Sequence, residues 1–513
     1  MSSPLQVLTT VFGLRRVKAF NWSLNRRRSQ AHHTSSNETL QVAREEDPEL
    51  KLPKMTSLVI MQTASALMQV SFFIVVSSSN AYAQYLGGTS TFSGLVIGIP
   101  TAFSGIALLP LMKYDQGGYR RPLNFACATA ILGNVLYSLA YHAGFLYLIL
   151  LGRIVSGFSF TFFMYSKRYC SDPRIVGIRR RTTLAGWLVL GQGFGFSIGP
   201  FIGGLLYKIG FSNSIFNGYT SPTWILAGIW AVFWAIASQL FEDVPTARTP
   251  SPPDTSIELQ QMNTPSDPTN ADAKSDDIKR IEEATEEPCA ASGSSSATVN
   301  EPSTDNVPAP PRRMNAAQIG VTATMCWFAM TCFFILGAWE ANIPVFTGSA
   351  SPLNPFDYSP FAAGNFIAVG GVATIPFLLA NLLVARRVQD RHTLAVGTAL
   401  GTAGLLVALA VLATRTVSFG TFFVCWFLVA LGFNLTSTVT LSLLSKQLPG
   451  EWNAKISLAI QYSNYTGRVC GAVWGGAGVK VGMLNYVGLQ IGIVGVGVLL
   501  FSTLWKQLKA KTG

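Results

Sequence analysis

The sequence predicts an all-α polytopic membrane protein, with twelve transmembrane helices arranged as two six-helix pseudo-repeats. Three observations lead to this prediction: the composition is apolar, long apolar segments recur, and a glycine pattern occurs twice. Hydrophobic residues make up 49% of the 513 residues and charged residues 12%, whereas a typical soluble domain has about 25% charged residues. Of the 25 acidic residues, 19 fall in residues 1–54 and 242–316. The rest of the chain therefore has too few acidic side chains to cover a soluble fold.

The apolar segments are each long enough to cross a bilayer as a helix, which takes about 20 residues. They are continuously apolar rather than alternating, and this excludes a closed β-barrel. The predicted segments are 55–79, 91–112, 122–142, 145–166, 184–207, 222–241, 317–340, 362–384, 393–413, 418–444, 456–479 and 483–505.

The hydrophilic stretches divide the chain into its predicted parts. Residues 242–316 are rich in Pro, Ser, Thr, Asp and Glu, a composition typical of disorder, and they form a cytoplasmic linker between two halves. The halves are residues 55–241 and 317–505. Residues 1–54 form a disordered cytoplasmic tail, and 506–513 a short cytoplasmic tail at the other end.

The distribution of basic residues predicts the orientation. Fourteen lysines and arginines lie in loops on the side of the N-terminus, against only Lys208, Arg415 and Lys480 on the other side. Because cytoplasmic loops carry the excess of basic residues, both termini are expected in the cytoplasm. The net charge of +12 follows from this bias and does not indicate nucleic-acid binding. The expected partners are the lipid bilayer and a small solute with or without a proton, and the protein is expected to be a monomer.

Small residues recur at matching places in the fifth segment of each half. Glycines spaced by four make a flat helix face on which a neighbouring helix can approach closely. The match indicates an internal duplication, and duplicated halves are a transporter architecture with the substrate path between them. These residues are interpreted either as helix packing or as gating elements. They are Gly195, Gly199, Pro200 and Gly203 in the first half, and Gly467, Gly471 and Gly475 in the second.

Charged residues inside the apolar segments are the main candidates for function, because such charges are costly and usually face a cavity. Arg153 and Arg468 lie at middling depth, one in each half, with no obvious carboxylate at the same depth. They predict an anionic ligand, or else each bonds only to backbone carbonyls. Glu340 ends the seventh segment and is the first candidate for proton coupling. A rim acid that caps the helix or pairs with an arginine is the alternative.

Several amides could face a substrate cavity or simply contact another helix. No catalytic, metal-binding or phosphate-cradling pattern is visible, so the sequence predicts neither an enzyme nor a cofactor. The amides assigned as candidate substrate contacts are Gln62, Gln69, Gln192, Asn434, Gln461 and Asn464, with Asn365 as a further cavity position.

One loop carries a resemblance to a known family. Asp115, Gly118, Arg120 and the adjacent Arg121 resemble the loop between helices two and three of the major facilitator superfamily, although Leu111 replaces a usual glycine. In that family this loop forms a charge relay that holds the cytoplasmic face shut. Residues 153–157 resemble the family's fourth-helix motif, and the resemblance extends over residues 54–506.

The segments SLLSKQLP and YTGRVCGAVWGG are similar to the lysosomal and vacuolar branch, which includes the ceroid-lipofuscinosis type and transporters with an SPX domain. No SPX domain is expected here, because 54 residues are too few for one. The resemblance implies a vacuolar or lysosomal membrane, with the plasma membrane as the alternative.

The leading functional hypothesis is a secondary transporter for a small, anionic solute, working by alternating access between the halves. One alternative is a proton-coupled antiporter for drugs or organic solutes. The others are an anion channel and a non-transporting membrane sensor that signals through residues 242–316.

Overall fold

The structure is a computed structural model that describes residues 51–115, 117–172, 174–244, 314–384, 388–448 and 452–509. All regular secondary structure in these ranges is helical. The predicted disorder of the tails and the linker falls mainly on residues 1–50, 245–313 and 510–513, which lie outside the described residues.

Among the described residues, the first half contains eight helices, because two of its spans are interrupted. The described part of the second half contains six continuous helices. The helices are Met55–Phe73 (α1), Ser79–Tyr85 (α2), Ser90–Lys113 (α3), Arg120–Ala143 (α4), Leu146–Ser159 (α5), Phe162–Ser171 (α6), Ile178–Ile209 (α7), Ser221–Leu240 (α8), Ala316–Thr347 (α9), Pro360–Val384 (α10), Asp390–Ala413 (α11), Phe419–Gln447 (α12), Asn453–Val481 (α13) and Met483–Thr503 (α14).

In the described ranges, eleven helical segments are long and apolar enough to cross a membrane, with α5 and α6 counted as one. The predicted eleventh segment corresponds to α13, which has 29 residues but is more polar. The order of the helices matches the twelve predicted segments, and the all-α polytopic fold is confirmed. Most boundaries differ from the prediction by a few residues, and two of the differences affect residues discussed below. Helix α9 continues to Thr347 rather than ending at Glu340, and Glu242–Val244, assigned to the linker, pack at the end of α8, where Val244 is buried.

The glycine pattern brings helices together within each half. A β-carbon added at Gly203 of α7 would overlap the carbonyl oxygen of Ile74, directly after α1, and one at Gly475 of α13 would overlap that of Ala338 in α9. The other glycines of the pattern pack against the same neighbours: Gly195 and Gly199 against α1, and Gly467 and Gly471 against α9. These contacts fit the packing interpretation, since they lie inside the halves.

The glycine that follows in each half faces the opposite half. A β-carbon at Gly204 would lie 2.9 Å from the Cα of Phe361 in α10, and one at Gly476 would overlap the carbonyl oxygen of Ser90 in α3. The pairs α7–α10 and α3–α13 thus form the interface between the halves. The Pro200 carbonyl of α7 also packs against Gly364 of α10 at this interface. Equivalent residues perform equivalent packing in both halves, as a duplicated architecture requires.

Candidate functional site

Arg153 lies in α5 at the centre of the first half and is only 2% exposed. Its guanidinium donates three hydrogen bonds to backbone carbonyls: Nε to Val96 at 3.2 Å, Nη1 to Ser71 at 3.3 Å and Nη2 to Phe72 at 3.4 Å. Among the described residues no carboxylate pairs with it. The side chain is therefore held by neutral groups, and its charge has no counter-charge there.

Helix irregularities make these carbonyls available. Pro100 lies four residues after Val96 in α3 and has no N–H to donate to that carbonyl. Helix α1 ends at Phe73, and the N–H of Val76 donates to Phe73 instead of Phe72. Since buried carbonyls need partners, Arg153 satisfies groups that a proline and a helix end leave open.

Arg468 lies in α13, is 7% exposed, and forms an ion pair with Glu340 of α9, which is 1% exposed. The expectation that neither arginine has a carboxylate at its depth is therefore wrong for Arg468. The expectation was wrong because the seventh helix extends seven residues beyond Glu340. Glu340 is consequently a buried residue rather than one at the helix end.

The two arginines meet at one aromatic ring. The guanidinium carbons of Arg153 and Arg468 lie 5.6 and 4.8 Å from the centroid of the Phe72 ring, within cation–π range. Arg468 also lies 5.1 Å from the ring of Phe73. Because Phe72 is in the first half and Arg468 in the second, this central cluster of Arg153, Phe72, Phe73, Arg468 and Glu340 lies between the halves. It combines two cations with one anion.

In the described structure, the contacts given for the predicted amides are with other residues. Gln192 donates to Ser65 at 3.1 Å, Gln62 to the Leu184 carbonyl at 3.4 Å, and Asn434 to its own helix. The remaining amides are half-buried: Gln69 packs against Gly195, Gln461 lies in α13, and the Asn464 and Asn365 carbonyl oxygens are buried without a described partner.

Two tyrosines that precede Arg468 in α13 join this helix to α3. The hydroxyl of Tyr462 donates to the Gly105 carbonyl at 2.8 Å, and the Ser104 hydroxyl donates to Tyr465 at 3.1 Å. These hydrogen bonds cross the interface between the halves. Sequence reasoning missed both tyrosines, and their spacing of three, which places them on one helix face, was the available signal.

The loop that resembles the family motif makes its described contacts within the first half. Asp115 pairs with Arg168 of α6. Arg120 donates from Nη2 to the Ser238 carbonyl at 2.8 Å. Arg121 is exposed on the first turn of α4.

An acidic residue missed by the sequence analysis completes this loop. The carboxylate of Asp243 accepts the backbone N–H groups of Tyr119 and Arg120 at 2.8 and 3.0 Å. A β-carbon at Gly118 would lie 2.9 Å from Asp243 Oδ2, so glycine permits this approach. The start of α4 is thereby capped by a residue from the end of the first half.

Asp172 lies at the end of α6 and accepts hydrogen bonds from Arg174 Nη2 at 2.7 Å and from the Tyr119 hydroxyl at 2.8 Å. Burial raises the pKa of Asp172, but the bonds from the side chain and backbone of Arg174 and from Tyr119 outweigh it. The net pKa therefore lies below its usual value. For Tyr119, burial and the bond to Asp172 raise the pKa. This cluster ties two loops of the first half together.

Comparison with known proteins gives consistent results. A family model described as Major Facilitator Superfamily matches residues 59–472. An uncharacterised MFS-type transporter of Schizosaccharomyces pombe is 29% identical over 471 residues, which cover 90% of this chain and 84% of the relative. An SPX domain-containing membrane protein of Arabidopsis thaliana is 30% identical over 178 residues, but these cover only 34% of this chain and 25% of that protein.

Solved structures share the fold at low identity. A D-xylose–proton symporter has a TM-score of 0.58 at 14% identity, and the match covers 90% of this chain and 99% of the symporter chain. A bacterial homolog of the human lysosomal transporter Spinster, in an inward-facing and occupied conformation, has a TM-score of 0.55 at 11% identity and covers 89% and 98%. The chain belongs to the major facilitator superfamily: it is a multi-pass membrane protein and a secondary transporter of a small solute, not an enzyme.

Proposed function

We propose that this transporter carries a small anion, bound between the halves at the central cluster, and works by alternating access. One observation supports the proposal most directly: Arg153 and Arg468 both contact the Phe72 ring. Of these two arginines, only Arg468 has a carboxylate partner among the described residues. The cluster therefore has an excess positive charge when Glu340 is ionised. Charges inside a membrane are costly and usually serve a substrate or ion pathway.

Glu340 is proposed as the coupling residue. While Glu340 is ionised it occupies Arg468. Protonation removes the negative charge that competes with an anionic substrate for this arginine. A proton and an anion would then bind together, and their transport would be coupled as symport.

The interface contacts suggest how the path opens and closes. With both termini proposed to be cytoplasmic, the contacts of Gly204 and Gly476 lie toward the outer side, and those of Tyr462 and Tyr465 lie nearer the cytoplasm. Alternating access would separate the two sets in turn. The Asp115 loop would move with the first half, to which its described contacts belong. On the resemblance to the lysosomal and vacuolar branch, we propose that the protein lies in such a membrane. We also propose that it is a monomer.

The test is flux of anions into proteoliposomes that contain the purified protein, with and without a pH gradient. The panel should include chloride, phosphate and small carboxylates, and neutral and cationic solutes serve as comparison. Wild type is compared with Arg153→Gln and Arg468→Gln, and Arg415→Gln is the matched control because it removes an arginine from a loop outside the cluster. Monodisperse elution of each variant shows that it is folded.

The proposal predicts anion flux that both cluster variants lose and the control keeps. Glu340→Gln should retain anion exchange while losing its response to the pH gradient. Flux of only neutral or cationic solutes, or anion flux that is indifferent to both arginines, would contradict the proposal.

A further inference from the structure

Buried polar atoms without partners gather where the first span is interrupted. Between α1 and α2, residues 74–78 form a turn rather than a continuous helix. Around it, Ser77 Oγ, Asn80 Oδ1 and the Tyr137 hydroxyl are buried, and none has a hydrogen-bond partner among the described residues. Leaving buried polar groups unpaired costs stability, so each of the three groups requires an explanation.

Tyr137 shows the contrast most clearly. Its side chain, in α4, is 1% exposed, and its ring contacts Tyr82 of α2 edge to face at 5.4 Å. The Tyr82 hydroxyl donates to the Tyr137 carbonyl at 3.2 Å. The Ser79 hydroxyl faces Tyr137 from α2 without meeting hydrogen-bond geometry, and it accepts from Ser93 at 3.1 Å. Two neighbouring tyrosines thus differ, since only Tyr82 has its hydroxyl satisfied.

Tyr137 lies beside Arg153. A β-carbon on Gly152, the residue before Arg153, would be 2.6 Å from the backbone nitrogen of Tyr137, so α4 and α5 are in close contact here. The Arg153 guanidinium also donates to the carbonyls of Ser71 and Phe72, which lie just before the turn of residues 74–78. The three carbonyl bonds of Arg153 leave further N–H donors of its guanidinium unused.

The same region borders the second half. A β-carbon on Gly364 of α10 would lie 3.0 Å from the Ser77 Cβ, and Asn365, the next residue, has its own buried and unpartnered Oδ1. Movement of α10 away from the turn would therefore open Ser77 to a solute between the halves. Neutral hydrogen-bonding groups at this point extend the cationic cluster in one direction.

We propose that Tyr137, together with Ser77 and Asn80, forms a neutral subsite beside Arg153 that receives a hydroxyl group of the substrate. This inference rests on the proposed function, since Arg153 and Arg468 would hold the anionic group. The substrate class is then a hydroxylated organic anion, such as a hydroxycarboxylate, rather than an inorganic anion. A hydroxyl would satisfy the unpaired groups, and an analogue without it would leave them unpaired, which gives strong discrimination.

The experiment compares uptake of carboxylates that differ by one hydroxyl group: lactate against propionate, and malate against succinate. Wild-type proteoliposomes should prefer the hydroxylated member by about tenfold or more. Tyr137→Phe should reduce this preference toward unity by lowering uptake of the hydroxylated member alone. Tyr82→Phe is the matched control and should keep the preference, because its hydroxyl bonds the backbone of Tyr137. Asn80→Ala provides a second variant in case Tyr137→Phe does not fold.

The outcomes separate the two proposals. If carboxylates are carried but Tyr137→Phe and Asn80→Ala change both members of each pair equally, the subsite is refuted while the anion proposal stands. If phosphate or chloride moves and no carboxylate does, the substrate class is likewise overturned. If no anion moves at all, the proposed function fails and the subsite with it.

Discussion

The two halves bring an arginine to the same phenylalanine ring but hold it in different ways. Arg153 is fixed by three backbone carbonyls, whereas Arg468 is paired with the carboxylate of Glu340. A carbonyl cannot take up a proton, but a carboxylate can. Arg153 is therefore a permanent positive charge, and the charge of Arg468 can be unmasked by protonation of its partner. The central cluster thus combines one constant positive charge, on Arg153, with one on Arg468 that protonation of Glu340 can unmask.

The glycine positions show the opposite relation, because there the halves agree. Gly203 and Gly475 pack within their halves, and the next residues, Gly204 and Gly476, face across the interface. Backbone packing has thus been kept where the helices must approach closely, while the partners of the buried charges differ. The repeat conserves the geometry of the interface and leaves the chemistry of the site free to differ between the halves.

The largest effect is expected when the switchable pair is broken. Arg468→Gln leaves Glu340 buried without its partner and should lower the free energy of unfolding by about 3–5 kcal/mol. Glu340→Gln added to Arg468→Gln should restore much of this loss, since no unpaired charge then remains. Thermal unfolding in detergent, followed by tryptophan fluorescence, measures both variants. Loss in the double variant equal to the sum of the single losses would argue against a direct pair.

Arg153→Gln should cost about 3 kcal/mol, because it leaves buried carbonyls without donors, and Glu340→Gln should not rescue it. A different second change should help. Pro100→Ala supplies the N–H that the Val96 carbonyl lacks within its own helix. The pair Arg153→Gln and Pro100→Ala should therefore be more stable than the sum of the single changes predicts. If Glu340→Gln instead restored the stability lost in Arg153→Gln, Arg153 would be held by this carboxylate, as Arg468 is.

The sequence predicts the fold well, because a bilayer leaves a strong signal in composition and segment length. It also identifies Arg153, Arg468 and Glu340, since charged residues within apolar segments are few. The pairing of Arg468 with Glu340 was missed because the two lie 128 residues apart and the end of α9 was placed too early. Partners brought together by tertiary packing have no local signature.

Other residues could not be found for compositional reasons. Phe72 is one of 33 phenylalanines, and nothing local distinguishes the one that both arginines contact. Asp243 lies at the beginning of a stretch rich in acidic residues, where a single structural carboxylate is hidden among the others. Tyr137 is notable only because its hydroxyl lacks a partner, and this depends on the three-dimensional surroundings.

Phe72 tests whether the two arginines are coupled through the ring. Phe72→Leu removes both cation–π contacts and should destabilise the protein by about 2 kcal/mol, with weaker binding of the transported anion. Phe160→Leu is the control, because Phe160 packs edge to face on Phe72 at 5.6 Å and has no cation–π contact in the part of the chain that the structure describes. Equal effects of the two changes on anion affinity would show that the ring contributes packing alone.

The smallest expected effect separates Glu340 from a buried carboxylate outside the central cluster, Asp172. The pKa of Asp172 is lowered in the folded protein. The stabilising effect of this carboxylate is therefore complete above its unfolded pKa and is lost only as the pH falls through the lowered pKa. Asp172→Asn should therefore cost about 1–2 kcal/mol, nearly the same at about pH 5 and about pH 8. Thermal unfolding at both pH values measures this. Anion flux in the variant should keep its response to a pH gradient. If Asp172→Asn loses the response of flux to the pH gradient while Glu340→Gln keeps it, the pH-sensitive charge lies in the cluster of Asp172, Arg174 and Tyr119. Arg468 would then not differ from Arg153 in having a charge that protonation unmasks.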